Sequence, residues 1–256
     1  MNPRPVWLVT LLAAAMASSL GAQEQSVKPG INKSFEDPNV DRFVGIFEGE
    51  SREVFRYRHA IVGLLGLEPD SHVADIGAGT GLFTRLIAAE LGDEGRVYAV
   101  DIAQKFLDHI ESTVDEQYRS RIVPVLCDQR TTNLAPESVD LVFVCDTYHH
   151  FEYPAETLAS VRRALRPDGV LVIVDFERIA GVSSAFVLGH VRCGKGTVTD
   201  EVKDAGFELL DEVPLMKEQY VLRFGKRVAA SNDAQGSEQP AAESDSGRTT
   251  TAGAGR

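Results

Sequence analysis

Val73-Ala74-Asp75-Ile76-Gly77-Ala78-Gly79-Thr80-Gly81 reads as an apolar strand that turns sharply through three alternate glycines and opens a helix. In that helix Leu82, Phe83, Leu86, Ile87 and Leu91 fall on one face, the spacing that a 3.6-residue repeat gives a buried stripe. Glycine suits such a turn because a Cβ blocks positive φ and holds a ligand off the backbone. The pattern predicts free N–H groups and the positive end of the helix facing a ligand carboxylate or phosphate. It therefore predicts a mononucleotide-like ligand at the carboxyl end of a parallel strand.

The spacing and the acid before the glycines narrow the ligand. Dinucleotide sites prefer G-x-G-x-x-G, whereas this turn is Asp-x-Gly-x-Gly-x-Gly. Asp75 would repel a pyrophosphate but accepts hydrogen bonds from an amino group or a water. The stretch resembles motif I of the class I S-adenosylmethionine-dependent methyltransferases, of the type 11/25-like group. The resemblance implies S-adenosyl-L-methionine as cofactor, with Asp75, Gly77, Ala78, Gly79 and Gly81 among its contacts.

Arg96–Asp101 reads as a second strand that ends in an acid about 20 residues beyond the last glycine. An acid there can accept both ribose hydroxyls; read alone, Asp101 is a helix N-cap before residues 103–117. In the resembled family Asp101 binds the ribose and Ile102 rests against adenine. A third strand, Ile122–Leu126, ends in Cys127-Asp128-Gln129, where Asp128 resembles the acid that receives the adenine amino group; alone it is a turn residue. Val139–Cys145 is a fourth strand, apolar enough to be covered on both faces. The resemblance puts its end, including Cys145, beside the cofactor, and Tyr148, His149 and His150 near the reactive methyl group.

A helix over residues 155–165, an Arg166-Pro167-Asp168-Gly169 turn and a fifth strand over 170–176 follow, a run that resembles the family's stretch after motif IV. Residues 179–197 are irregular, with Gly181, Gly189, Gly194 and Gly196 suggesting mobility or close approach. A helix over 199–205 and strands over 207–213 and 220–224 close the pattern. The expected fold is α/β: a three-layer, Rossmann-like seven-stranded sheet, mostly parallel with an antiparallel C-terminal hairpin strand.

A chain of 256 residues can bury one substantial core, and 43% hydrophobic with 25% charged residues is ordinary for a soluble protein. A formal charge of −12 argues against a nucleic-acid substrate, since phosphate binding needs a basic face. Arg4, an apolar run over 6–17 and the small residues Ser18, Ser19, Gly21 and Ala22 read as an export signal over residues 1–22. Cleavage after Ser19 or Ala22 leaves an exported protein; uncleaved, the segment is an anchor with the domain outside the cytoplasm. The apolar run is short for a stable membrane span.

Residues 23–50 read as a linker or N-terminal extension, with a glycosylation sequon at Asn32; residues 51–227 read as the methyltransferase domain and 228–256 as a disordered tail. Residues 52–65 read as a helix; in the resembled family a helix there covers the cofactor, which makes Tyr57 and Arg58 candidates for its carboxylate, with a surface or packing role as the favoured alternative. Three cysteines make no disulfide framework. In the resembled strand order Cys127 and Cys145 end strands three positions apart, about 14 Å, so they are expected unbonded; Cys193 stays open.

Methyl transfer is an in-line displacement from a sulfonium. The protein must bring the acceptor to about 3 Å and, for a hydroxyl or amine, remove a proton. His149 or His150 is the candidate base and Tyr148 the candidate orienting group; the bland alternative makes one histidine a local cap and the other a solvated side chain. No metal is expected: a set from Asp146, Asp175 and a histidine lacks the neighbouring Asn, since Phe176 and Glu177 follow. A thiol-dependent arsenic methyltransferase is disfavoured by the lack of a cysteine pair. The expected function is methyl transfer to a small-molecule acceptor. Its rivals are a methyltransferase acting on an exported protein, an inactive S-adenosylmethionine-binding protein and, last, a nicotinamide oxidoreductase.

Overall fold

The computed structural model describes residues 25–227. The expected export segment and the C-terminal tail lie outside the described residues. Helix α1 (Val40–Phe47) leads into α2 (Glu53–Arg56) and α3 (Arg58–Leu64). An alternating run then follows: β1 (His72–Ile76), α4 (Leu82–Glu90), β2 (Arg96–Asp101), α5 (Gln104–Thr113), β3 (Ile122–Leu126) and β4 (Val139–Cys145). It continues with α6 (Pro154–Ala164), β5 (Leu165–Phe176), α7 (Ala185–His190), α8 (Lys195–Asp204), β6 (Phe207–Glu212) and β7 (Gln219–Lys226).

The seven strands form one sheet in the order β3-β2-β1-β4-β5-β7-β6. Strand β1 pairs in parallel with β2 and with β4, and β7 is antiparallel to both β5 and β6. The expected architecture, including the antiparallel hairpin at the end, is the observed one. The central strands are mostly buried because both faces carry helices. On one face Leu158 and Val161 of α6 and Val198 and Val202 of α8 pack on Val142 and Val144 of β4. On the other, Ile61 of α3 and Phe83 and Ile87 of α4 pack on Val97, Leu141 and Phe143, with the Phe83 and Phe143 rings edge to face at 5.0 Å. Full burial of each such side chain contributes about 1.5–3 kcal/mol.

The chain leaves β1 toward β2 on one side and reaches β4 on the other. That reversal opens a crevice at the strands' carboxyl ends. Cys127 and Cys145 follow and end strands three places apart, and both are free thiols, as is Cys193.

Several local expectations differ. The single helix over 52–65 is broken at Tyr57, whose φ −95° and ψ 7° leave the helical range. The extension over 23–50 is not a plain linker, since it contains α1. The turn at residues 166–169 is an excursion inside β5: Val139 pairs with Leu165 and Leu141 already with Val170. Helix α8 starts four residues before the expected helix at Thr199, and Gly181, Gly189 and Gly196 stand in open space rather than in close contact.

Candidate active site

The three motif glycines all have positive φ, +73° at Gly77, +54° at Gly79 and +83° at Gly81. A Cβ on Gly77 would lie 2.2 Å from Cγ2 of Thr147, so the ends of β1 and β4 meet at a distance only glycine allows. Gly81 opens α4 and has Ile110 of α5 against it, where a Cβ would come within 2.6 Å of the isoleucine. The expectation of free loop amides fails at four positions. Gly77 and Ala78 donate to the Val100 carbonyl at 2.8 and 3.1 Å, Gly79 to Oδ2 of Asp101 at 2.8 Å, and Gly81 to the Ala78 carbonyl at 2.9 Å. The first three of these N–H groups tie the loop to β2 and the fourth closes the loop on itself, so none of the four cradles an anion, as a phosphate site would need.

Above the carboxyl ends lies a cavity of about 740 Å³. Gly77, Ala78 and Gly79 line it beside Asp101, Ile102 and Asp128. Cys145, His149 and His150 line it on the β4 side. Three expected site residues do not reach it. Asp75 is sealed beneath the loop, where Oδ2 accepts from the Thr84 hydroxyl at 2.6 Å. Gly81 packs on Ile110. Tyr148 is 0% exposed and turned into the core, its hydroxyl donating to Oε2 of Glu201 at 2.8 Å, so it is not placed to orient an acceptor. In the 3-10 turn Tyr148–His150 the tyrosine joins the core while the two histidines line the cavity.

Tyr57 and Arg58 also miss the cavity: Tyr57 is exposed, and Arg58 stacks over Phe55 at 4.2 Å. Arg52, from the same stretch, does line the cavity and forms an ion pair with Oδ2 of Asp146 at its wall. Asp146 has φ +46°, a conformation that Asp tolerates better than most residues. Its other oxygen, Oδ1, is buried with no hydrogen-bond partner. A buried carboxylate oxygen without a donor is costly, and it is an acceptor waiting for a ligand's N–H.

Burial pushes the Asp101 carboxyl up to about 6, against the pull of the Ala103 and Gly79 amides that donate to it. Part of the bare N-cap reading is thus realised, since Oδ1 accepts from Ala103 at 2.8 Å just before α5. Each oxygen keeps a lone pair for a ligand. Asp75 is also raised to about 6 by burial, with the Asp101 charge adding to it. Oδ1 of Asp128 accepts from the Arg130 and Thr131 amides, the turn role, while the residue still lines the cavity.

On the opposite wall His149, 3% exposed, has Nδ1 2.8 Å from Oδ1 of Asp175. Asp175 also accepts from the backbone amides of His149 at 3.0 Å and Phe176 at 2.7 Å, which fixes the carboxylate. His150 has Nδ1 3.1 Å from Oδ1 of Asn32 and Nε2 3.3 Å from Nε2 of His190 on α7. Burial, helped by His149 and His190, pushes His150 down to about 2. It is therefore a poor proton acceptor at neutral pH, and His149 is the better candidate base. Asp146 and Asp175 are engaged by Arg52 and His149, so the Asp–Asp–His metal set considered from sequence is not assembled.

An aromatic lid covers the end of the cavity beside Asp101 and Ile102. The Phe43 ring lies 5.1 Å from Phe35, 5.1 Å from Phe47 and 5.6 Å from Phe106. No residue of α1 is buried, so the helix rests on these aromatic contacts and on its Asn39 cap, which accepts from the Arg42 amide at 3.0 Å. Val40, Phe43, Val44 and Phe47 carry the i, i+3, i+4, i+7 signal that would have revealed it.

Residues 74–173 match the family described as "Methyltransferase domain". Over 120 residues the chain is 28% identical to the ubiquinone/menaquinone biosynthesis C-methyltransferase UbiE of Bordetella avium, covering 46% of each. Over 125 residues it is 27% identical to the reducing polyketide synthase ppsB of Aspergillus oryzae, covering 47% of this chain and 5% of that one. The chain thus spans less than half the length of these curated relatives. Among solved structures, a SAM dependent methyltransferase from Aquifex aeolicus superimposes with a TM-score of 0.63 at 20% identity, covering 72% of this chain and 96% of that one. The CurJ carbon methyltransferase does so with a TM-score of 0.58 at 18% identity, covering 74% and 59%. The fold is that of the S-adenosylmethionine-dependent methyltransferase structures it superimposes on, and residues 74–173 match the methyltransferase-domain family.

Proposed function

We propose that this chain transfers a methyl group from S-adenosyl-L-methionine to a small, largely apolar acceptor whose nucleophile is released by loss of a proton. One observation carries the reading: a single cavity joins Asp101, at the nucleoside end, to the His149–Asp175 pair at the other. Bound there, the cofactor supplies a methyl group already activated on a sulfonium.

The residues present fit that group. Asp101 would accept from the ribose hydroxyls, Ile102 and Phe106 offer apolar surface to the adenine, and Asp128 lies where its amino edge would fall. Arg52 suits the methionyl carboxylate, and the unpartnered Oδ1 of Asp146 suits the ammonium. Asp175 holds Nδ1 of His149, which leaves Nε2 free to take the acceptor's proton, and its charge would stabilise the imidazolium. The phenylalanine lid excludes water from the transfer. An apolar acceptor accords with the quinone and polyketide chemistry in the relatives' names. Export, read from residues 1–22, is proposed alongside; cell fractionation and the mature N-terminus test it.

The test is a calorimetric titration of the purified protein with S-adenosylmethionine, beside Asp101→Ala and Gly79→Val. Micromolar binding is expected, weakened at least tenfold, about 1.4 kcal/mol, by either substitution. Unchanged affinity in folded Asp101→Ala overturns the ribose role. Labelled methyl transfer to a panel of phenols, hydroquinones and β-diketones then tests the acceptor class, and transfer only to proteins of an extract would overturn it.

A further inference from the structure

We propose that His149, His150 and His190 form a site for one divalent transition ion of the zinc class on the acceptor wall of the cavity. The site goes beyond the methyl-transfer reading and does not depend on it. The three rings come from two separate segments, the turn after β4 and the end of α7, yet each offers a nitrogen within 4.8 Å of the others. Zinc–nitrogen bonds of about 2.0–2.1 Å in a tetrahedron place ligand nitrogens about 3.3 Å apart. The Nε2 atoms of His150 and His190 are 3.3 Å apart. A ring adjustment on the order of 1 Å brings the third nitrogen to the same ion.

The surrounding groups orient the rings as ligands. Asp175 holds Nδ1 of His149 and Asn32 faces Nδ1 of His150, so Nε2 is the atom each has left. A metal-binding histidine nearly always has its second nitrogen fixed by such an outer partner. Phe186 stacks on His190 with the ring centroids 5.0 Å apart.

Three neutral imidazoles without a carboxylate suit zinc, cobalt, nickel or copper and not magnesium or calcium. The charges around the cluster are Asp175, which favours a cation, the Arg52–Asp146 pair, and Lys28, which opposes one. The Lys28 ammonium is drawn onto the backbone carbonyls of Gly189 and His190. Three protein ligands leave a fourth position on the cavity side, where an acceptor hydroxyl or enol oxygen has the fitting chemistry. That last role does rest on the methyl-transfer reading. With the ion in place Nε2 of His149 is a ligand, and the ion makes the acceptor acidic.

The same 3.3 Å spacing is also that of an imidazole–imidazole hydrogen bond, and the experiment separates the two. The full chain is stripped with a chelator and titrated with Co²⁺ without cofactor, followed by Zn²⁺ competition. One ion per chain, an intense tetrahedral cobalt absorption and displacement by Zn²⁺ are expected. His190→Ala and His150→Ala should each weaken binding at least tenfold while circular dichroism stays native. Asp175→Asn should cost about 10- to 100-fold, and His59→Ala, on the exposed face of α3, nothing. Binding unchanged in His190→Ala, or only the spectrum of hydrated cobalt, overturns the site. Asp101→Ala should lose S-adenosylmethionine and keep cobalt, so failure of the ion site and failure of the methyltransferase reading give different results.

Discussion

His149 and Asp175 are both buried and stand 2.8 Å apart, ring nitrogen to carboxylate, at the adjacent ends of β4 and β5. A carboxylate only accepts, so the proton of this hydrogen bond sits on Nδ1, and Nε2 is the nitrogen left for another partner. Asp175→Asn removes the charge that stabilises the imidazolium while keeping the shape. We expect kcat to fall about 100-fold, within the range for general-base catalysis, with the S-adenosylmethionine Kd unchanged within a factor of two. Equal losses in Kd and kcat would show that Asp175 merely shapes the pocket.

Arg52→Met keeps the apolar stem and deletes the charge, which leaves Asp146 buried and uncompensated. Breaking such a pair costs about 3–5 kcal/mol in a dry interior, and less here because Arg52 is partly exposed. S-adenosylmethionine affinity should drop at least tenfold. In Arg52→Met/Asp146→Asn the stability should recover and the affinity should not, as urea unfolding and calorimetry on the same samples would show.

Burial raises the carboxyls of Asp101 and Asp75 from the ordinary carboxylate range to about 6 in the folded chain. Because the folded value is raised, their contribution to stability is complete below about pH 4 and is lost as pH rises through about 6. Ligand binding runs the other way. The ionised Asp101 is the stronger acceptor for ribose hydroxyls, so affinity should fall as pH drops through 6. Asp101→Asn should flatten the part of that slope that Asp101 carries, Asp146, whose carboxyl burial also raises, carrying the rest; a slope unchanged in Asp101→Asn would assign all of it to Asp146.

Gly77→Ala forces a Cβ to 2.2 Å from Thr147 at φ +73°. Strain and overpacking together should cost about 2–4 kcal/mol. Thr147→Ala in the same chain should relieve the overpacking alone, leaving about 1–2 kcal/mol from the left-handed backbone. Full rescue would mean that φ costs nothing there.

Phe43→Ala/Phe47→Ala cuts away the part of the lid that α1 carries, a helix in which no residue is buried. Thermal stability should change little, whereas S-adenosylmethionine affinity should fall and the protection of α1 amides that the cofactor confers should disappear in hydrogen exchange. A large stability loss would mean that α1 is part of the core.

The strands, the glycine turn and the acid closing β2 were legible because each is written locally, whereas the strand order came only with the family resemblance. Contiguous apolar runs mark strands covered on both faces, helical spacing marks what lies between, and glycine spacing marks the turn. The working wall of the cavity was not legible. Arg52 and Asp146 are 94 residues apart, Asn32 and His150 are 118 apart, and His190 joins from a segment that read only as irregular. Nor could the chain order of Tyr148, His149 and His150 reveal that the tyrosine turns inward while the histidines face the cavity. Local patterns record how each segment meets the sheet, but a binding site is a set of meetings between distant segments, and those exist only once the layers have packed.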